Sequence, residues 1–328
     1  MIWNNPLSHG GASVEIISTM TLLIISGDKD SSPWVDALTS VDDSVEVCVW
    51  PCSDTQAEDV EFVLCWNHPR GLLREFPKLR GISSMGAGID HLVSDPDLPV
   101  DLAFARLVDP SLTQAMFEYI HAAALYYQRD MDSYRRQQDR RQWQPLARRP
   151  LSQTTISIMG LGALGHYAAV KLSDMGFRVE GWSSTKKQID GVTTYAEAQL
   201  KEFLGRADIL VCLLPLTTKT QGILNAELFS ALPPRACLIN VARGGHVVES
   251  DLLDALENGS LRGAYLDVFQ YEPLPDDHPF WHNERIIITP HSSSVTDPLA
   301  VAPQIIENYH RALSGRKMLN QIDIKREY

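Results

Sequence analysis

Short apolar runs recur along this chain. TLLIIS (Thr21 to Ser26), VEVCVW (Val45 to Trp50), EFVLCW (Glu61 to Trp66) and a segment ending at Ser84 follow at the spacing of strands separated by helices, which predicts a first α/β unit. The period then changes. Within 112–142, Met116, Ile120, Ala123, Tyr127 and Met131 stand at helical spacing, predicting one helix that crosses between domains and is polar in its second half. From Thr154 onward TTISIM, FRVEGW, ADILVCLL, ACLINVA, GAYLDVF and RIIIT alternate with helix- or loop-length segments, the pattern of a doubly wound parallel sheet. A last helical stretch over 297–313 is available to return to the first unit.

A length of 328 residues calls for two domains. Residues 1–20, with Asn4, Asn5, Pro6, Gly10 and Gly11, lack the basic start and apolar stretch of a signal peptide and read as an extension; Met20, just before the first strand, is an alternative start. A net charge of -12 argues against a polyanionic partner, so nucleic acid is set aside. One basic stretch (Arg135, Arg136, Arg140, Arg141, Arg148, Arg149) reads as a solvated face or a subunit contact. The five cysteines form neither a C-x-x-C pair nor a dense framework; a reduced cytoplasmic compartment and no metal site are expected. No apolar run approaches the roughly 20 residues needed to span a bilayer, so no membrane partner is expected either.

Between the strand TTISIM and a helical stretch lies Gly160-Leu161-Gly162-Ala163-Leu164-Gly165, a G-x-G-x-x-G pattern in strand-turn-helix context. Gly160 permits the tight turn, Gly162 lets a pyrophosphate approach the backbone, and Gly165 lets helix and strand pack closely. The helix N-terminus then favours the anion. After the next strand, where an NAD-selective site places a carboxylate, stand Ser183, Ser184, Thr185, Lys186 and Lys187. They offer hydroxyls and cations and nothing to repel a 2′-phosphate, which favours NADPH, with NADH the alternative. Glu180 lies three residues before the expected strand end and is the weaker candidate for the ribose.

Three polar residues close late strands, where ligands gather in a parallel sheet: Arg243 in VARGG, Glu272 in VFQYEPLP and His291 in TPHSSS. Singly they read as a surface arginine, a loop glutamate and a capping histidine. Together they offer a cation for a carboxylate, an orienting group and a proton donor, which is what hydride transfer to a 2-oxo acid requires. Met85-Gly86-Ala87-Gly88 follows the strand ending at Ser84, and its amides suit a small carboxylate nest.

These motifs, in this order and spacing, resemble the D-isomer-specific 2-hydroxyacid dehydrogenase family over nearly everything from Thr21 onward. SMGAGIDHL, SYRRQQDRRQWQPL, ARGGHVVESDLL and EPLP make the chain most similar to its glyoxylate/hydroxypyruvate reductase A type. The resemblance implies two Rossmann-like domains with an active-site cleft between them. Residues 21–111 and 297–328 would form the substrate-binding domain, and 112–296 the dinucleotide-binding domain. It further implies reduction of glyoxylate or hydroxypyruvate, with His291 as general acid, Glu272 as its partner and Arg243 clamping the substrate. Asp267 would contact the nicotinamide carboxamide and Gly86 to Gly88 would bind the substrate acid. Trp66 and Trp143 either line the substrate pocket, Trp143 as a contribution from the neighbouring subunit of a homodimer, or simply pack. Relatives tend to carry arginine where this chain has Ser184, and smaller apolar residues where it has Ser292 to Ser294. An NAD-dependent phosphoglycerate- or lactate-type dehydrogenase and a dinucleotide-sensing scaffold remain the competing readings.

Overall fold

Five parallel strands come from the first part of the chain: β1 (Thr21–Ile25), β2 (Glu46–Val49), β3 (Val60–Cys65), β4 (Gly81–Ser84) and β5 (Ala103–Ala105), arranged β2-β1-β3-β4-β5. The computed structural model describes residues 21–27 and 29–326; the expected extension over 1–20 lies outside them. β1 and β3 are buried along their whole length, as strands covered on both faces must be.

A second sheet holds β6 (Thr155–Met159), β7 (Arg178–Trp182), β8 (Val192–Tyr195), β9 (Ile209–Cys212), β10 (Ala236–Asn240), β11 (Leu261–Leu266) and β12 (Ile286–Ile288), all parallel, in the order β8-β7-β6-β9-β10-β11-β12. Strand order reverses beside β6, the doubly wound arrangement that opens a crevice at the carboxyl ends of the central strands. β8 was not anticipated, because VTTY carries no apolar run.

The helix Pro298–Leu313 returns to the first sheet, as its sequence position allowed. Asp297 caps it, accepting from the Leu299 amide at 3.0 Å, and Val301, Ile305, Ile306 and Tyr309 share a core with Leu22, Ile24, Phe62 and Leu64. Gly81 in β4 accommodates it: a Cβ there would lie 2.8 Å from that of Ala312. A short β13 (Gln321–Ile322) then adds antiparallel to β5.

The predicted single helix over 112–142 is two. Pro110–Gln128 buries Met116, Ile120, Ala123 and Tyr127 in a core with Ile156, Ile158 and Ile239, and Met131–Asp139 follows. Arg262 of β11 causes the break. Its Nη2 donates to Asp130 Oδ1 at 2.7 Å and its Nε to Asp132 Oδ2 at 2.9 Å, while Asp130 takes a φ of +56°. Beyond, residues 140–150 are exposed, and Trp143 is 98% exposed. Of the arginine stretch, Arg136 pairs with Asp132 and Arg149 with Asp208.

Candidate active site

The glycine loop after β6 shows why each glycine is there. Gly160 has a φ of +102°, and a Cβ on it would lie 2.6 Å from the Leu213 carbonyl oxygen. A Cβ on Gly165 would lie 1.9 Å from the Gly160 carbonyl oxygen, so the helix Ala163–Asp174 could not sit where it does. Gly162 differs: nothing lies within 4 Å of its Cβ position, leaving open space against the first amides of a 12-residue helix. Those amides have no acceptor within the helix, and this space fits a pyrophosphate. Ala163 is exposed beside it, whereas Leu164 packs against both cores.

After β7, Ser183 is buried and its hydroxyl donates to the Thr185 carbonyl at 2.9 Å; Ser184, Thr185 and Lys186 are exposed. The Lys187 ammonium turns back and donates to the Leu161 carbonyl, tying this loop to the glycine loop. Glu180 is 2% exposed within β7 beside Arg206, at 3.8 Å, and cannot reach a ribose from there. Burial pushes its carboxyl upward, against the Tyr195 hydrogen bond and the charge of Arg206.

His291 and Glu272 meet at 2.7 Å, from Nδ1 to Oε2. The carboxylate's other oxygen accepts from the Phe269 amide at 2.9 Å. Partial burial pushes the Glu272 carboxyl up, but the His291 and Phe269 hydrogen bonds and the charges of His291 and Arg243 outweigh it and hold it below the usual range. With Nδ1 facing a carboxylate, the proton exchangeable with a substrate is the one on Nε2. His291 has a φ of +52°, a strained conformation for a non-glycine residue. Asp267 holds it there. Fully buried, this carboxylate accepts from Thr289 Oγ1 at 2.6 Å and from the Ser292 and Ser293 amides at 2.8 and 2.9 Å, and its backbone carbonyl accepts from the His291 amide at 2.8 Å. Expected at the nicotinamide, Asp267 thus has both oxygens engaged by the turn that carries His291. Tyr119 extends the network through Thr289 Oγ1.

Arg243 reaches across to the first sheet. Its Nε donates to both oxygens of Asp90, at 2.9 and 3.0 Å, and its Nη1 to the Ala242 carbonyl at 2.7 Å. Burial pushes the Asp90 carboxyl up, but the charge and hydrogen bonds of Arg243 bring it below the usual value. Gly88 makes room: a Cβ there would lie 2.0 Å from Arg243 Nη2. Trp66 is half-buried under this guanidinium, its ring centroid 6.0 Å from Cζ, with Lys29 Nζ at 4.9 Å from the same ring. Gly86 packs on that ring, 3.2 Å from Cβ position to Cζ3.

The turn over 86–88 is held from behind. Ser84 Oγ donates to the Gly88 carbonyl at 2.7 Å, accepts from the Gly86 amide at 3.2 Å and meets His91 Nε2 at 3.0 Å. Met85, expected among the substrate contacts, instead buries its side chain in the first core, and only its backbone borders the turn. Asp90, Ser84 and His91 were missed as site residues. The run SMGAGIDHL contains all three, but its glycines drew the reading and nothing local marks Asp90 as the partner of Arg243.

The sequence profile described as "D-isomer specific 2-hydroxyacid dehydrogenase, NAD binding domain" matches residues 121–293. Glyoxylate/hydroxypyruvate reductase A of Yersinia enterocolitica is 39% identical over 305 residues, covering 91% of this chain and 97% of that protein. That of Serratia proteamaculans is also 39% identical, over 301 residues, 90% of this chain and 96% of its own. Among solved structures, a D-isomer specific 2-hydroxyacid dehydrogenase from Xanthobacter autotrophicus Py2, in complex with NADPH and MES, superposes with a TM-score of 0.90 at 37% identity, covering 94% of this chain and all of that one. The NADPH-dependent glyoxylate/hydroxypyruvate reductase of Sinorhizobium meliloti, with NADP and sulfate, gives 0.87 at 35%, covering 94% and 99%.

Proposed function

Because the chain belongs to the D-isomer-specific 2-hydroxyacid dehydrogenase family, we propose that it reduces a small 2-oxo acid, glyoxylate or hydroxypyruvate, to the 2-hydroxy acid, of D configuration where the product is chiral, with NADPH, His291 acting as general acid. The observation that carries this reading is the 2.7 Å contact between His291 and Glu272, on a turn fixed by Asp267, with Arg243 near enough for its charge to act on Glu272.

The dinucleotide, when bound, supplies the hydride. Gly162 and the first helical amides would hold its pyrophosphate, and the exposed Ser184, Thr185 and Lys186 would receive the 2′-phosphate. Gly86 to Gly88 and Arg243 hold the substrate carboxylate, the guanidinium also polarising the carbonyl oxygen as it gains charge. His291 Nε2 donates the proton to that oxygen, and Glu272 orients the imidazole. We further place the enzyme in the cytoplasm, where its cysteines stay reduced, as a homodimer to whose interface the exposed 140–150 arm contributes. Five free thiols support the compartment, and no helix among the described residues is long and apolar enough to cross a membrane.

The test follows absorbance of NADPH and, separately, NADH with glyoxylate and then hydroxypyruvate. Higher kcat/KM for NADPH is the expected result; no turnover of either acid with either cofactor would reject the reading, and faster NADH turnover would reject its cofactor part.

A further inference from the structure

Behind the substrate loop, on the far side of Trp66, three potential metal ligands converge that the proposed reaction does not use. Cys65 ends β3, Asn67 turns the chain back with a φ of +51°, and His68 and His91 complete the group. Their ligand atoms all lie within 4.8 Å of one another. We propose that Cys65, His68 and His91 form a binding site for a borderline-soft divalent cation of the Zn²⁺ class.

His68 carries the argument. Its side chain is wholly buried, and its Nε2 meets Asp95 Oδ2 at 3.0 Å. An ionised carboxylate only accepts, so Nε2 bears the hydrogen, and in the neutral imidazole Nδ1 is then a bare lone pair. Among the described residues that buried Nδ1 has no hydrogen-bond partner. Leaving such an acceptor unsatisfied is costly, and a carboxylate on the opposite nitrogen is how ligating histidines are usually oriented. Asp95 is itself fixed, accepting from the Gly71 and Asp97 amides at 2.9 Å each.

His91 has matching chemistry. Its Nδ1 faces the Asn67 amide at a long 3.4 Å, which makes Nε2 the nitrogen that donates to Ser84 and leaves Nδ1 basic. Cys65 would ligate as the thiolate, releasing its proton on binding. Zinc bonds of about 2.0–2.3 Å set tetrahedral ligand atoms roughly 3.5 Å apart, so inward rotation by about 1 Å closes the site and leaves the fourth position to water. Occupancy would pin His91 and, through Ser84, the turn over 86–88.

The full-length protein, stripped with chelator, is titrated with Co²⁺ alone. One equivalent should raise a thiolate-to-cobalt charge-transfer band in the near ultraviolet, absent from Cys65→Ser. Competing Zn²⁺ should bleach it. His68→Gln and Asp95→Asn should each weaken Co²⁺ binding at least tenfold, the second without removing any ligand, and these two decide the matter if Cys65→Ser does not fold. No band in the unmodified protein, a band of equal strength in Cys65→Ser, or unchanged affinity in both other variants would overturn the site.

Discussion

Two glycine turns border the proposed site, and they are built for different reasons. In the loop over 160–165, two of three glycines answer to backbone: a Cβ on Gly165 would lie 1.9 Å from the Gly160 carbonyl oxygen, and one on Gly160 would lie 2.6 Å from that of Leu213. In the turn over 86–88, the glycines answer to side chains, Gly86 to Trp66 and Gly88 to the tip of Arg243 from the other sheet. Backbone cannot move aside without the fold moving, whereas a guanidinium can. The first turn therefore protects architecture and the second protects the position of a charge.

Substitutions separate the two. The largest effect is expected for Gly165→Ala, which should cost about 3 kcal/mol or more and reach thermal denaturation as a large fall in Tm or as loss of soluble protein. An unchanged Tm would mean the helix slides without penalty. His291→Ala leaves both turns intact and should lower kcat by about 10² to 10⁴ with only a small fall in Tm, which sets the scale for loss of chemistry without loss of fold. Gly88→Ala should behave like the latter: Tm nearly unchanged, kcat/KM for the 2-oxo acid down on the order of 10²-fold through a displaced Arg243, and NADPH affinity unaffected. If its Tm falls as far as that of Gly165→Ala, the contrast between the turns is wrong.

Gly162→Ala probes the one glycine of the first loop with open space around it. It should fold normally and weaken NADPH binding about tenfold by fluorescence titration, because the added methyl stands where the pyrophosphate approaches. The smallest effect concerns pH. The Asp90 carboxyl lies below its ordinary 3.8 and that of Glu272 below 4.5, so each stabilises the fold fully above those values and loses that contribution as pH falls through the depressed folded values. Tm measured between about pH 5 and 2 should fall less steeply for Asp90→Asn. An identical slope would show that the Arg243 pair adds nothing to stability.

What could be read in advance follows the same division. The constraint on the 160–165 loop is largely local, a strand, a turn and a helix in one short stretch, and the roles of Gly160 and Gly165 were legible. The apolar runs of β1, β3, β6 and β10 were legible because full burial leaves a continuous signature. Pairings between distant residues were not: Arg243 with Asp90, 153 positions apart, and Arg262 with Asp130, 132 apart, which breaks a helix that periodicity alone would continue. Asp267 was noticed for its place at a strand end, yet its hold on the His291 turn depends on a φ of +52° that TPHSSS does not announce. The Cys65, His68 and His91 group was hidden for a like reason, since cysteine spacing says nothing of a histidine that arrives from another turn.

The return of the helix Pro298–Leu313 to the first sheet has a consequence for synthesis on the ribosome. The strands of the second sheet lie in one uninterrupted stretch, so that sheet can complete while the chain is still growing. The first sheet cannot. Its face bearing Leu22, Ile24, Phe62 and Leu64 has β4 in place by Ser84 but waits for Leu313, on the order of 10 to 50 seconds at about 5–20 residues per second. During that interval the nascent chain carries an apolar face covered only in part, by Trp34, Ala37 and Leu38 of the helix Ser32–Val41, and it is there that a chaperone would find its client.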